Sequence, residues 1–199
     1  MTLSYREKQK QQLKQHIFDT ALPLFREHGF DNTSVAQITQ ACGIAKGTFF
    51  NHYAVKEALL DKFMKDVTKA GLDKTQQNPS DSAQQNVLNL MLNLFAAANV
   101  DSQIFRYSCE LALHNPSLKS TDQALDRQLM AFMQQVMTQG VENGEISAKA
   151  PLDVLMPLLL GSLTMTAQEW AHSKGKGEGY DFVYEITRRI NFLFLAATK

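Results

Sequence analysis

A short stretch in the first third of the chain carries side chains that could contact nucleic acid. Lys46, Gly47 and Thr48 begin this stretch, and Asn51 and His52 lie at its end. Lysine and hydroxyl groups donate hydrogen bonds to phosphate oxygens, and an asparagine carboxamide pairs with the edge of an adenine. Small and polar residues at the start of a helix also allow it to approach a groove closely. These residue types point to a contact with double-stranded DNA.

The residues around this stretch predict a helix, a tight turn and a second helix. Ser34 and Gln37 have the spacing of a capping box, and the helix that they open places Ile38 on its inner face. Gly43 stands where the chain reverses direction, which often requires a positive φ. A further short helix is predicted from about 45 to 53. The arrangement is typical of a helix-turn-helix, although two short core helices would share part of the pattern.

A set of residues between positions 24 and 60 makes this interpretation specific. The set is Leu24-Phe25, Gly29-Phe30, Thr33-Ser34-Val35, Ile38, Gly43-Ile44, Lys46-Gly47-Thr48, His52-Tyr53 and Lys56-Glu57-Ala58-Leu59-Leu60. In this combination the segment resembles the DNA-binding module of the tetracycline-repressor-like (TetR) family. The resemblance covers about a fifth of the chain.

The resemblance implies DNA contacts from three places. The expected phosphate contacts at the starts of the second and fourth helices are Thr33, Ser34 and Lys56. Helix N-termini favour such contacts because their N–H groups are free and their dipole is positive. The expected contacts from the third, recognition helix are Lys46, Gly47, Thr48, Phe50, Asn51 and His52. Lysines 8, 10 and 14 could reach the backbone or minor groove, or form a solvated helix face.

Four positions depart from the pattern that the resemblance implies. The family usually has tyrosine where Phe50 stands, and phenylalanine lacks the hydroxyl that reaches a phosphate. Ala45 and Val55 replace polar caps, and each lost cap could cost about 1 kcal/mol of local helix stability. Thr39 replaces a usual alanine where the two helices cross. A more mobile recognition helix in the free protein is therefore expected.

The remaining sequence predicts an all-α protein of about nine helices. A first helix is predicted over 4–28, ending at Gly29, and a fourth begins near Lys56. The polar stretch Gly71–Ser82 is predicted to be a loop. Longer helices follow over about 81–98, 101–115, 120–143, 151–173 and 180–198. We expect a three-helix DNA-binding domain over 1–55 and a larger effector-binding and dimerisation bundle over 56–199.

Composition and charge exclude several classes of protein. The 199 residues include 20 basic and 20 acidic side chains, so a uniformly basic coat is absent. Residues 1–56 nevertheless carry seven basic and four acidic groups, which suggests that this part meets an anion. No apolar run approaches the length of a membrane span, and the N-terminus lacks the pattern of a secretory signal. With only two distant cysteines, a cytoplasmic protein is expected.

No catalytic, cofactor or metal site is predicted. The chain has no Ser-His-Asp or Cys-His arrangement with motif spacing, and its histidines are scattered. The Gly175–Gly179 stretch lacks the ending and the preceding strand of a phosphate-binding loop, so it is predicted to be a flexible connection. We therefore expect that the protein is not an enzyme.

The resemblance also implies a cavity for a small effector and a dimer. Methionine and aromatic side chains could surround an apolar ligand or simply fill the core. The residues expected to line the cavity are Phe105, Cys109, Met133, Met137 and Trp170. A homodimer is expected through the last two helices, with apolar faces formed by Leu155, Leu158, Leu159, Ser162, Leu163 and Thr166 and by Phe182, Val183, Ile186, Ile190, Leu193 and Phe194. The alternative is that these faces are buried within one subunit.

These observations predict a homodimeric repressor that binds a palindromic operator and is released by a small molecule. Two alternatives remain. The first is a DNA-binding protein or activator that needs no effector. The second is a helical ligand-binding or protein-interaction module that does not bind DNA, for which Phe50 and the lost caps are the only support.

Overall fold

The computed structural model describes residues 4–99, 102–114, 123–173 and 179–198. Over these ranges the chain forms nine α-helices and no strand, which confirms the all-α prediction. Their bounds are α1 Tyr5–His28, α2 Val35–Cys42, α3 Lys46–Phe50, α4 Ala58–Gln77, α5 Ala83–Asn99, α6 Ser102–His114, α7 Gln123–Glu142, α8 Leu152–Ser173 and α9 Phe182–Ala197. The predicted loop at 115–117 and the glycine-rich stretch at 174–178 lie outside the described residues.

The chain divides into two compact units, Met1–Phe63 and Met64–Lys199, and the boundary falls within α4. In the first unit α1 packs on α2, and α2 packs on α3. Their contact is apolar, because Phe25, Ile38 and Phe49 are fully buried. None of the helices in the described ranges is long and apolar enough to cross a membrane.

Local sequence signals set the ends of α1 and α2 as predicted. Gly29 ends α1 with φ of 84°, a conformation that favours glycine. At the start of α2 the hydroxyl of Ser34 accepts from the backbone N–H of Gln37 at 3.2 Å, and the Gln37 side chain accepts from the backbone N–H of Ser34 at 2.7 Å. Gly43 ends α2 in the left-handed region, with φ of 66°.

The prediction of a loop over Gly71–Ser82 is wrong for its first half, because α4 continues to Gln77. Gly71 is buried against α5, and a Cβ at this position would lie 2.7 Å from Leu94 Cδ2 and 2.8 Å from its backbone nitrogen. The glycine therefore permits a close approach between helices instead of ending one. Thr75 stays buried in the same helix by donating to the Gly71 carbonyl at 2.8 Å.

In the second unit α5 packs against α6, α7 and α9, while α8 packs against α6 and α9. The N-terminus of α5 is bound by a carboxylate from the segment after α7. Glu145 accepts from the Ser82 hydroxyl at 2.8 Å and from the backbone N–H groups of Ala83 and Gln84 at 2.6 and 2.9 Å. This geometry compensates the positive end of the α5 dipole and joins two distant segments.

A polar cluster joins α8 to α9. Glu169 accepts from the Tyr180 hydroxyl at 2.5 Å and from Arg189 Nη2 at 2.6 Å. Arg189 Nη1 also donates to Thr166 Oγ1 at 2.9 Å. The hydrogen bond from Tyr180, together with Arg189, lowers the pKa of Glu169 below its ordinary value. Burial, followed by the bond to this carboxylate, raises the pKa of Tyr180.

Candidate nucleic-acid interface and ligand cavity

The short helix α3 presents an exposed face on which Gly47 leaves open space between larger side chains. Lys46, Gly47, Phe50 and Asn51 are exposed, while Phe49 between them is fully buried and anchors the helix. A Cβ built on Gly47 would meet nothing within 4 Å. The side chain of Ala45 supplies no cap to α3, in agreement with the sequence. This face is open for close approach by another molecule.

The start of α2 places two predicted phosphate contacts differently. Ser34 is exposed at the helix N-terminus. Thr33 is fully buried, and its hydroxyl donates to the carbonyls of Gly29 at 2.8 Å and Leu24 at 3.2 Å. The hydroxyl of Thr33 therefore holds the end of α1, where it cannot meet a phosphate, and we reassign this residue to a structural role.

Lys56, also expected to contact phosphate, turns inward in the structure. Its ammonium donates to the carbonyls of Phe30 at 2.6 Å and Thr33 at 3.0 Å. It also lies 4.2 Å from the centre of the Phe30 ring, within the range of a cation–π interaction. Lys56 thus stabilises the connection between α1 and α2, a role that the sequence did not reveal.

His52 lies at the end of α3 beside the first turns of α1. Together with Asn51 it lines a surface groove whose α1 side includes Arg6, Glu7 and Lys10. His52 is partly buried, and its Nδ1 has no hydrogen-bond partner within the described ranges. Burial, and then the positive charges of Lys10 and Lys14, lower the pKa of His52 below 6.5. An anion in this groove would favour the protonated form of His52.

Comparison with known proteins supports a regulator of transcription. Residues 17–63 match the model of the bacterial regulatory proteins of the tetR family. The transcriptional repressor DhaR of Mycobacterium sp. (strain GP1) is 27% identical over 159 residues, which cover 75% of this chain and 78% of DhaR. Residues 17–63 therefore belong to the tetR family of bacterial regulatory proteins. This matched segment includes α2 and α3, which form its helix-turn-helix.

Solved structures of two regulators share the fold of this chain. The fatty acid degradation regulator FadR of Bacillus halodurans has a TM-score of 0.69 at 20% identity, with 91% of this chain and 94% of that chain covered. Thermus thermophilus FadR, a repressor solved in complex with lauroyl-CoA, has a TM-score of 0.67 at 20% identity, with 90% and 92% covered. These likenesses extend the shared fold from the DNA-binding domain to the second unit.

The second unit contains a cavity of about 230 Å³ that is partly open to solvent. Side chains from α4, α5, α6, α7, α8 and α9 line it, and most of them are apolar. An aromatic group forms part of the wall: Phe95 stacks on Phe182 with ring centres 3.7 Å apart and an angle of 6° between the planes. Trp170 packs behind this wall, 5.4 Å from the centres of both Phe95 and Phe105.

The structure brings only part of the predicted effector set to the cavity. Phe105 and Cys109 line it. Met133, Met137 and Trp170 do not, because they are buried in the surrounding core. The sequence also missed Phe95, Phe182 and Gln168, which line the cavity from three helices. Helical periodicity marks all of these positions as inward-facing, so it does not separate cavity wall from packed core.

The apolar faces predicted to form a dimer interface are in large part internal. Leu155, Leu159 and Thr166 of α8 are buried within the chain, as are Phe182, Ile186, Ile190 and Phe194 of α9. They form the contact between α8, α9 and α5. Two of the predicted positions, Leu158 and Val183, are exposed together with other apolar side chains near them. The exposed set consists of Val154, Leu158 and Met165 on α8 and Val183, Tyr184, Phe192 and Leu195 on α9. We call this set the exposed α8–α9 face.

Proposed function

We propose that this TetR-family regulator is a homodimeric repressor that binds a near-palindromic operator and leaves it when a small molecule occupies the cavity. The observation that carries the DNA-binding part is the exposed face of α3, where Gly47 leaves open space between Lys46 and Asn51. A helix with this face can enter a major groove, where Lys46 meets phosphate and Asn51 meets a base edge.

The DNA contacts in this proposal are assigned to the residues that the fold leaves accessible. They are Ser34, Lys46, Gly47, Thr48, Phe50, Asn51 and His52. Arg6 and Lys10 add positive charge to the groove beside His52. Two copies of α3 in successive major grooves would lie about 34–36 Å apart, or a multiple of that distance.

The exposed α8–α9 face supports a dimer. Phe192 and Leu195 are 70% and 61% exposed, and Leu158 and Met165 lie two turns apart on α8. A Cβ at Gly161, between these two turns, would meet nothing within 4 Å, so a second helix could approach closely there. Exposed apolar area of this kind is typical of a subunit interface.

The cavity supports release by an effector. Its wall is apolar, and Thermus thermophilus FadR, which shares the fold, was solved with lauroyl-CoA. The apolar wall therefore makes an acyl chain one reasonable occupant. A ligand can release the repressor only as far as it prefers the unbound conformation over the DNA-bound one.

Selection of binding sites from fragmented DNA of the source genome tests the proposal. We expect enrichment of one short inverted repeat, followed by loss of binding to that repeat when an acyl-CoA or another apolar ligand is added. Retention of DNA without sequence preference, disappearing as salt is raised, would contradict a specific repressor. Specific binding that no ligand changes would leave a DNA-binding regulator without an effector.

A further inference from the structure

The polar groups of the cavity are few, and three of them are hydroxyls already engaged on their own helices. Thr68 donates to the Met64 carbonyl at 2.9 Å, Ser108 to the Ile104 carbonyl at 2.9 Å, and Thr164 to the Leu160 carbonyl at 3.2 Å. Each bond spans four residues within one helix, a common way to satisfy a buried hydroxyl. These hydroxyls present only oxygen lone pairs to a ligand.

Gln168 differs from the three hydroxyls. It lines the cavity from α8, and its side-chain carboxamide forms no hydrogen bond to any other residue in the described part of the chain. A carboxamide offers two N–H donors and one oxygen acceptor. Among the described lining residues, Gln168 is therefore the side chain that can both donate to and accept from a bound molecule.

No Asp, Glu, Lys, Arg or His belongs to the described lining. A charged group buried there would lose its hydration without gaining an opposite charge, which is strongly unfavourable. The volume of about 230 Å³ lies just below the range of about 300–1,000 Å³ that is typical of sites for drug-sized molecules. The cavity accordingly suits a short apolar chain or a small ring system.

From these features we infer that the effector is uncharged inside the cavity and carries one neutral polar group, such as a hydroxyl, amide or ester carbonyl, that Gln168 binds. This inference rests on the effector site of the proposed function and specifies its ligand class. Gln168 is thus the residue that selects the polar group, while the aromatic wall binds the apolar part.

Four probes with the same chain length test the inference: 1-octanol, octanamide, octanoate and octylammonium. The chain has a single tryptophan, Trp170, and it contacts two rings of the cavity wall, so its fluorescence reports occupancy. We expect octanol and octanamide to bind and octylammonium not to bind. Octanoate should bind only as the neutral acid, so its apparent affinity should fall about tenfold for each pH unit above the pKa of the free acid.

Substitution of Gln168 separates its role from general packing. Gln168→Leu keeps the volume and removes the hydrogen bond, so octanol affinity should fall roughly 2- to 12-fold. Gln168→Glu should admit octylammonium by supplying an opposite charge. Gln135→Leu, at an exposed position on α7, is the matched control and should leave octanol affinity unchanged.

Three results would overturn the inference: octanoate binding at pH 7.5 as tightly as octanol, unchanged octanol affinity in Gln168→Leu, or no fluorescence response to any probe. Operator binding is measured in parallel to keep the two proposals apart. Octanol that binds through Gln168 without releasing DNA would refute effector release and leave the ligand class intact. Release of DNA by tightly bound octanoate would refute the inferred ligand class and leave effector release intact.

Discussion

Replacing Lys56 with methionine would separate a structural role of this side chain from a role in binding DNA. Methionine keeps much of the apolar stem and removes the ammonium, which donates to the carbonyls of Phe30 and Thr33. Hydrogen bonds from a charged donor contribute about 1.5–3 kcal/mol each. Lys56 is only half-buried, so water can replace part of this contribution. The cation–π contact with Phe30 adds about 0.5–1 kcal/mol.

We therefore expect Lys56→Met to lower the free energy of unfolding of the first unit by about 2–3 kcal/mol. With a urea m-value of about 2 kcal/mol/M, the midpoint should fall by roughly 1 M. Far-UV circular dichroism of the full chain at one protein concentration follows both units. Fluorescence of Trp170 follows the second unit, in which this residue lies, and its transition should move less.

Lys46→Met is the matched control, because Lys46 is exposed on α3. Its free energy of unfolding should stay within about 0.5 kcal/mol of that of the parent chain. Its DNA affinity should fall, and the slope of log affinity against log salt should decrease by about 1. Lys56→Met could instead keep the urea midpoint of the parent chain and lower the slope of log DNA affinity against log salt by about 1. That result would refute the structural role of Lys56.

Three further predictions concern other parts of the chain. Thr33→Val should lower the melting temperature by several degrees in calorimetry, because it removes the buried hydroxyl that donates to the carbonyls of Gly29 and Leu24; an unchanged value would contradict the structural role. Joint substitution of Phe192 and Leu195 by lysine should give a monomer in sedimentation velocity, and a persistent dimer would place the interface elsewhere. The hydrogen bond from Tyr180 lowers the pKa of Glu169, so its stabilisation is present above the ordinary pKa of 4.5 and is lost as pH falls through the lower folded value. Glu169→Gln should therefore be less stable at pH 7 and lose less stability than the parent chain on acid titration, whereas parallel curves would exclude this linkage.

The helix-turn-helix could be predicted from sequence because its signals are local. The capping box joins two residues three positions apart, and Gly43 adopts a positive φ because of the turn that it occupies. Phe49 and Ile38 follow helical periodicity, and the fold buries both. Such features depend on a few neighbouring residues, so no knowledge of distant contacts is required. The DNA contacts expected from the exposed residues of α3 remain predictions.

Gly71 shows where local signals failed. A glycine followed by polar residues predicts a helix end, yet this glycine lies inside α4 because Leu94, 23 positions later, approaches its backbone. The prediction of which apolar positions on α8 and α9 are exposed was incomplete for a related reason. Periodicity identified apolar positions, but only packing against α5 decided that Leu159 and Ile190 are internal while Phe192 is exposed.

The sequence by itself determined the helical class and the helix-turn-helix with its resemblance to the tetR family, since these follow from residue types at short spacings. Only the tertiary structure decided which partner a polar side chain binds when its position suits either a phosphate or the protein backbone. Thr33 and Lys56 are polar and precede or begin helices, so the sequence suits them equally to phosphate or to backbone carbonyls. Both turn inward because the connection between α1 and α2 places backbone carbonyl oxygens within 3.2 Å of their donors. Hydrogen bonds to these carbonyls fix the two side chains inside the fold.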